Sequence, residues 1–193
     1  VDVIGSLNFS GFDSVALRAV HDLRLSQALY DYSVVGTTVA NGKLTASGDL
    51  MLDAERIYPG MYYSQQGGKT VAYPDMPSDY TVHANGIMTL QHTLGGSSVA
   101  PDRPIYSAGG SLTIEGLGGI DVESGVTVAA PLGTLTLTAP GKRIFLADGS
   151  VLTTRGSAAV NYGGIDPSNI WVIEDKKNPQ DLIYNSVPFT GDA

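Results

Sequence analysis

One pattern of residues recurs along this chain at a regular spacing. Gly110, Leu112 and Ile114 match a second set at a uniform offset of 23 residues, namely Gly133, Leu135 and Leu137. Related copies surround residues 48 and 86, and each has an alanine, a glycine and two large apolar residues at alternate positions. A weaker copy without the glycine covers residues 19–25. Such a repeat indicates a stack of similar units, because each unit buries its apolar face against its neighbours.

Each copy alternates apolar and polar residues with a period of two, which is typical of β-strands. A glycine begins each strand, where a bend requires a positive φ or a missing side chain. The best helical candidate, VALRAVHDLRLSQALYDY from Val15, also fits this alternation, and we predict strands there.

We therefore predict an all-β fold, a right-handed parallel β-helix with a coil period of about 23 residues. An antiparallel sandwich is the alternative, but a sandwich has no reason to repeat one pattern at a constant spacing. The apolar positions of the repeat should point inward and stack in register: Leu50, Leu52, Met88, Leu90, Leu112, Ile114, Leu135 and Leu137.

Two regions interrupt the repeat, and they define the expected boundaries of the coils. Coils are expected over residues 1–157, with a loop excursion at residues 56–80 that lengthens the spacing between Gly48 and Gly86. Residues 158–193, with the single tryptophan, are expected to form a flank or a second excursion. Because the sequence starts at VDVIGS, without an initiator methionine or a leader, we expect a fragment of a longer protein.

Composition excludes several classes of partner. The formal net charge is −8, which argues against nucleic acid because nucleic-acid binding selects clustered lysine and arginine. No apolar run approaches the roughly 18 residues of a membrane span, so no membrane insertion is expected. The chain has no cysteine, and it therefore relies on neither disulfides nor thiolate–metal sites.

Several longer phrases resemble the filamentous haemagglutinin family of large bacterial exoproteins. They are GFDSVALRAVHDLRLSQ, LTASGDLMLDAERIYPG, YTVHANGIMTL and GGIDVESGVTVAAPLGTLTLTAPGKRIFLADGSVLTTRGSAAVNYGG. The resemblance runs from about Gly11 to Gly164 and is closest to a region of uncharacterised function. It implies two-partner secretion through an outer-membrane pore partner, a secreted or bacterial cell-surface location, and a role in adhesion or as a stalk for contact-dependent delivery. It implies no catalytic residue.

The tyrosine-rich excursion is the strongest candidate for a binding site. Tyr58, Tyr62, Tyr63 and Tyr73 offer aromatic faces with hydroxyl groups, which suit surface glycans or proteins of a host or a bacterium. The alternative is that these rings fold back over the coil and cover an exposed sheet face.

The sequence contains few residues arranged for catalysis. The sequence QQGGKT ends like a phosphate-binding loop, but Tyr63 stands where the first glycine is required. Asp121 and Glu123 lie two apart on one strand face, and Asp53 with Glu55 forms a similar couple; solvated edge charges are the simpler explanation. We predict no catalytic residue, no metal and no cofactor. The alternative is a β-helix that binds or cleaves polysaccharides with paired carboxylates.

Overall fold

A computed structural model of the chain describes residues 1–30, 39–66, 69–95, 109–156, 164–165, 171–174 and 182–184. The described part is all-β, as predicted, and contains no helix long and apolar enough to cross a membrane. Its first strands are β1 (Asp2–Ile4), β2 (Ser6–Phe9), β3 (Ser14–Arg18), β4 (Asp22–Ser26), β5 (Ala28–Tyr30), β6 (Val39–Asn41), β7 (Lys43–Ala46), β8 (Asp49–Asp53), β9 (Arg56–Pro59), β10 (Met61–Gln66) and β11 (Lys69–Pro77). The remaining strands are β12 (Asp79–Ala84), β13 (Ile87–Gln91), β14 (Ser111–Gly116), β15 (Gly119–Val122), β16 (Thr127–Ala129), β17 (Thr134–Thr138), β18 (Ile144–Leu146), β19 (Val151–Thr153), β20 (Gly164–Ile165), β21 (Trp171–Glu174) and β22 (Leu182–Tyr184).

Three parallel sheets form the body of the molecule, each with five strands. Sheet I has the order β1-β4-β9-β16-β19, sheet II the order β2-β7-β12-β14-β17, and sheet III the order β3-β8-β13-β15-β18. The described strands visit sheets II, III and I in turn, except that β13 of sheet III is followed by β14 of sheet II. Neighbouring strands in sheets II and III therefore come from successive passes of the chain, whereas β9 and β16 of sheet I are separated by the pass that contains β12 and β13. Stacked parallel sheets of this kind are compatible with a β-helix.

The core follows from the predicted alternation. In β12 and β14 every second residue is buried, and the inward side chains of Val82, Leu112 and Ile114 have no exposed surface. In sheet III, Leu50 pairs with Met88 and Leu52 with Leu90, and all four are buried. Inward apolar rows therefore run across the strands, as the alternating pattern requires.

The eight predicted core residues do not form one stack. They pair in register in two separate sets, and each set lies in a different sheet. Leu112 pairs with Leu135 and Ile114 with Leu137 in sheet II, whereas Leu50, Leu52, Met88 and Leu90 belong to sheet III. Leu135 and Leu137 are half-buried rather than buried. The repeated phrase thus occurs in two different sheets, and its copies around residues 86 and 110 are not equivalent.

The chain separation of paired residues varies along the stack. Ser111 pairs with Thr134, 23 positions later, as the repeat predicts. Asp79 pairs with Ser111, 32 positions later, so the separation is not constant over the described strands. Earlier separations are longer because two pairs of strands, β5–β6 and β10–β11, are inserted between the parallel strands.

Glycines at the strand entries are required by close backbone approach. A Cβ on Gly48 would overlap the carbonyl oxygen of Asp13, and a Cβ on Gly133 would overlap that of Gly110. Neither glycine has a positive φ. The sequence allowed two reasons for a glycine at the start of a strand, a positive φ or a missing side chain. At Gly48 and Gly133 the reason is the missing side chain.

The excursion predicted as a loop at residues 56–80 is strand over most of its length. Residues 56–59 belong to sheet I and residues 79–80 to sheet II, so the departure from the parallel sheets is shorter than predicted. Between them, β10 and β11 form an antiparallel hairpin that joins β5 and β6 in a four-stranded sheet. In the flank, β20, β21 and β22 form a small antiparallel sheet.

Candidate functional site

The four tyrosines predicted to bind a partner do not share one environment. Tyr58 lies in β9 of sheet I and is 1% exposed, so it presents no aromatic face to a partner. The burial of this ring favours the alternative, in which the tyrosine rings lie against the coil. Tyr62, Tyr63 and Tyr73 lie on the hairpin, where Tyr62 is the register partner of Tyr73, but their side chains lie outside the described part.

Tyr58 is part of a charged cluster on sheet I with Asp22 and Arg56. The Arg56 guanidinium donates from Nε to Asp22 Oδ1 at 2.7 Å and from Nη2 to Oδ2 at 2.9 Å. The Tyr58 hydroxyl donates to the same Oδ2 at 3.0 Å. Because Asp22 and Arg56 are register partners on adjacent strands, the parallel pairing itself brings these groups together.

Burial and hydrogen bonding compete in setting the protonation of this cluster. Burial alone would raise the pKa of Asp22, but hydrogen bonds from Arg56 and Tyr58, with the charges of Arg56 and Arg24, hold it below its ordinary value. Burial and the neighbouring Asp22 carboxylate raise the pKa of the Tyr58 phenol, so its proton stays on the oxygen. The cluster is therefore a fixed ion pair with a phenol donor.

A second ion pair continues the same face toward the first strand. Arg24 contacts Asp2 at 2.5 Å between Nε and Oδ1, and donates from Nη2 to Oδ2 at 2.8 Å. Asp2 and Arg24 are register partners, as are Arg24 and Tyr58. Charged and aromatic groups thus connect three successive strands of sheet I.

Asp53 differs from the solvated residue that the sequence suggested. Its side chain has no exposed surface, and it accepts from the Thr93 backbone nitrogen at 2.8 Å, from Thr93 Oγ1 at 2.5 Å and from Gln91 Nε2 at 3.3 Å. Burial alone would raise the pKa of Asp53, but these hydrogen bonds and the charge of Arg18 keep it below its ordinary value. The carboxylate therefore fixes the chain just after β13.

The other acidic couple has the orientation predicted. Ile120 and Val122 are buried, and Asp121 and Glu123 between and after them are on the outer side. Asp121 pairs with Arg143 at 3.1 Å, across to the next strand, and the Arg143 side chain is 73% exposed. This is a surface ion pair, which contributes little to stability.

Each histidine has a neighbour that explains its position. His21 Nδ1 lies 3.0 Å from Glu55 Oε2, and His83 Nδ1 lies 2.8 Å from Glu115 Oε2. His92 Nε2 lies 3.0 Å from the carbonyl oxygen of Leu94. Within the described ranges, no group of three histidine, aspartate or glutamate residues is placed to hold a metal ion.

Lys69 and Thr70 of the Gly-Lys-Thr sequence are the first residues of strand β11. Gln66 pairs with Lys69 and Gln65 with Thr70 in the antiparallel register, and residues 67–68 lie outside the described part. A phosphate-binding loop joins a strand to a helix. Lys69 and Thr70 belong to a strand and do not begin a helix, so the described residues lack the geometry of a phosphate-binding loop.

Comparisons with family models, with curated proteins and with solved structures find no match to this chain. The candidate site is therefore defined only by the geometry of the described residues. It consists of carboxylates engaged by cations, hydroxyl groups or histidines of neighbouring strands, and such contacts hold successive passes of the chain together.

Sequence reasoning missed Asp22 and Arg56, which form the ion pair of this cluster. Each lies one position before a buried leucine or isoleucine, in the phrases HDLRL and ERIYP. Aligning these two phrases would have placed the opposite charges side by side. The insertion between them, 34 positions from one residue to the other, hid the alignment.

Proposed function

We propose that this chain is a structural segment, a right-handed parallel β-helix, of a secreted bacterial cell-surface exoprotein that acts in adhesion or as a stalk. One observation carries the proposal: three parallel sheets of five strands share a continuous apolar core. Such a stack adds length with every pass of the chain, and its cross-strand hydrogen bonds hold each pass to the next.

The charged groups on the outer faces support a role in stability. Asp22, Asp53 and Asp121 each have a partner on another strand or in the segment that follows it. A glycosidase requires two carboxyl groups that flank the scissile bond of a bound sugar. Because these carboxylates are engaged in contacts between strands, a structural role is favoured over a polysaccharide-cleaving one.

Adhesion would depend on the hairpin formed by β10 and β11. It leaves the three parallel sheets, so its surface is free to differ without disturbing the stack. Tyr62, Tyr63 and Tyr73 are placed on its strands. The partners proposed for this surface are glycans or proteins of a host or bacterial cell, and the outer-membrane pore partner acts only during secretion.

The test uses beads coated with the purified chain and measures their attachment to host and bacterial cells. The double variant Tyr62→Ser, Tyr63→Ser should lower attachment at unchanged melting temperature, and Tyr58→Phe, at a covered position, serves as the matched control. Attachment that stays the same in the double variant would remove the hairpin from the proposal. Cleavage of glycans in a panel assay, lost in Asp121→Ala, would overturn the structural role itself.

A further inference from the structure

Two inserted pairs of antiparallel strands leave the parallel stack at the same place. The first pair, β5 and β6, follows β4 after the single residue Gln27, and the second, β10 and β11, follows β9 after the single residue Gly60. Because β4 pairs in parallel with β9 and β5 pairs in parallel with β10, the two strand pairs lie side by side in one four-stranded sheet. The chain returns through Gly42 into β7 and through Ser78 into β12. These four connecting residues form the root of the inserted strands.

Hydrogen bonds join the two strand pairs to each other at the root. The backbone N–H of Gln27 donates to Ser78 Oγ at 2.5 Å, and the backbone N–H of Asp79 donates to Gln27 Oε1 at 3.0 Å. Asp79 Oδ1 in turn accepts from the backbone N–H and the hydroxyl of Ser111 in β14, at 3.0 and 2.6 Å. The departure of the first strand pair is therefore fixed to the return of the second, and through it to the next strand of sheet II.

The root is tightly packed and largely closed to water. Ser78 has no exposed surface, and Ala28, the first residue of β5, is also buried. A Cβ on Gly42 would lie 2.6 Å from both the Asp79 carbonyl oxygen and Gln27 Cγ. A hydrogen bond at such a site counts for more than one at the surface, because its loss leaves a buried polar group without a partner.

The stack pairs its strands without either inserted pair. Every strand of sheets I, II and III has its partners within its own sheet, and β5, β6, β10 and β11 occupy a sheet of their own. Two strands alone are at best marginally stable in water, whereas four paired strands support one another. Because proteins open locally in contiguous cooperative units, the four-stranded sheet has the connections expected of one such unit.

We propose that the two strand pairs open and close as one unit while the stack stays folded, and that Gln27 and Ser78 hold this unit closed. The hydrogen bonds of Gln27 act on both pairs at once, since Gln27 precedes the first pair and its partners follow the second. The inference concerns the opening of the sheet and does not depend on a role in adhesion. Its consequence does rest on that proposed function: a pull on a partner bound to β10 and β11 opens this unit first and leaves the stack intact.

The experiment is amide hydrogen exchange, measured by NMR on the full 193-residue chain. Ser78→Ala removes the acceptor of the Gln27 N–H, and it should raise the exchange rate about 10-fold, by the same factor, in β5, β6, β10 and β11. Exchange in the central strands of sheet III should stay as it is in the parent chain. Ser47→Ala is the matched control, because Ser47 Oγ also accepts from a backbone N–H, that of Gly11 at 3.0 Å, but lies between β7 and β8 of the stack.

A second pair of variants keeps the test decisive if Ser78→Ala does not fold. Gln27→Ala removes the acceptor of the Asp79 N–H and should also speed exchange in all four strands, whereas Gln27→Glu keeps an oxygen there and should restore slow exchange. Faster exchange in one strand pair alone, equal acceleration in sheet III, or the same effect in Ser47→Ala would overturn the proposal. So would unchanged exchange in the variants of Gln27 and Ser78. None of these outcomes involves attachment to cells, so a failure of the proposed role in adhesion is recognised separately, in the bead assay.

Discussion

Asp22 of β4 accepts two hydrogen bonds from the guanidinium of Arg56 in β9, at 2.7 Å from Nε and 2.9 Å from Nη2. The two residues are register partners in sheet I, and their side chains are only 16% and 17% exposed. A bidentate pair of this kind is stronger than a typical surface ion pair, because it is partly removed from water and geometrically fixed.

The first prediction concerns this pair. Asp22→Asn replaces a carboxylate oxygen by a donor that faces the Arg56 donors, and it should lower the free energy of unfolding by about 1.5–3 kcal/mol. Asp121→Asn, which removes a pair with the 73% exposed Arg143, should lower it by about 0–1 kcal/mol. Urea denaturation of the three proteins at neutral pH measures both values. Equal losses in the two variants would contradict the prediction.

The second prediction is the pH dependence of the same contact. The pKa of Asp22 is lowered in the folded chain, so the contact stabilises at a pH above the unfolded pKa and is lost as the pH falls through the folded pKa. The difference in melting temperature between the parent and Asp22→Asn should be full at neutral pH and shrink below about pH 4. A difference that grows on acidification would show the opposite sign of coupling.

The third prediction concerns the buried carboxylate of Asp53. Thr93→Val removes the hydroxyl donor at 2.5 Å but keeps the backbone donor at 2.8 Å, so it should cost about 1.5–3 kcal/mol and raise the pKa of Asp53 toward its ordinary value. Thr89→Val, on the outer side of β13, is the control and should change stability little. NMR titration of the Asp53 carboxylate and urea denaturation provide the two measurements, and an unchanged Asp53 titration would refute the assignment.

Strand positions and the direction of each side chain were predictable because alternation is a local property. Val15–Tyr30 was correctly predicted as strands, and Leu112 and Ile114 as inward residues. The sheet to which a strand belongs is not local. Gly86 and Gly110 begin similar phrases, yet the strands after them lie in sheets III and II, since the insertions shift the spacing.

The environment of a polar residue was less predictable still. Tyr58 has the same strand parity as Arg56, so alternation places it on the outer side, where the sequence suggested a binding residue. Yet its ring is buried, and its hydroxyl donates to Asp22, 36 positions earlier in the chain. Asp53 likewise acquires its partners from Thr93, 40 positions later. Only the register of the folded sheets reveals such contacts.

The fourth prediction separates the two reasons for glycine in this chain. A Cβ on Gly48 would overlap the backbone carbonyl of Asp13, which cannot rotate away, so Gly48→Ala should cost roughly 1–3 kcal/mol. A methyl group added at Gly95 would meet no atom within 4 Å, and Gly95 has no positive φ, so Gly95→Ala should be neutral or stabilising by about 0.4–1 kcal/mol. Thermal denaturation of both variants decides, and a Gly48→Ala protein as stable as the parent would disprove the close approach.

The last prediction compares two leucines that the repeat treats as equivalent. Leu112 and Leu135 are register partners in sheet II, but Leu112 has no exposed surface and Leu135, in the last strand, is half-buried. Leu112→Ala should leave a cavity and cost about 2–5 kcal/mol, whereas Leu135→Ala should cost clearly less because water already reaches that position. Urea denaturation of the parent and the two variants measures both losses, and equal losses would contradict the prediction.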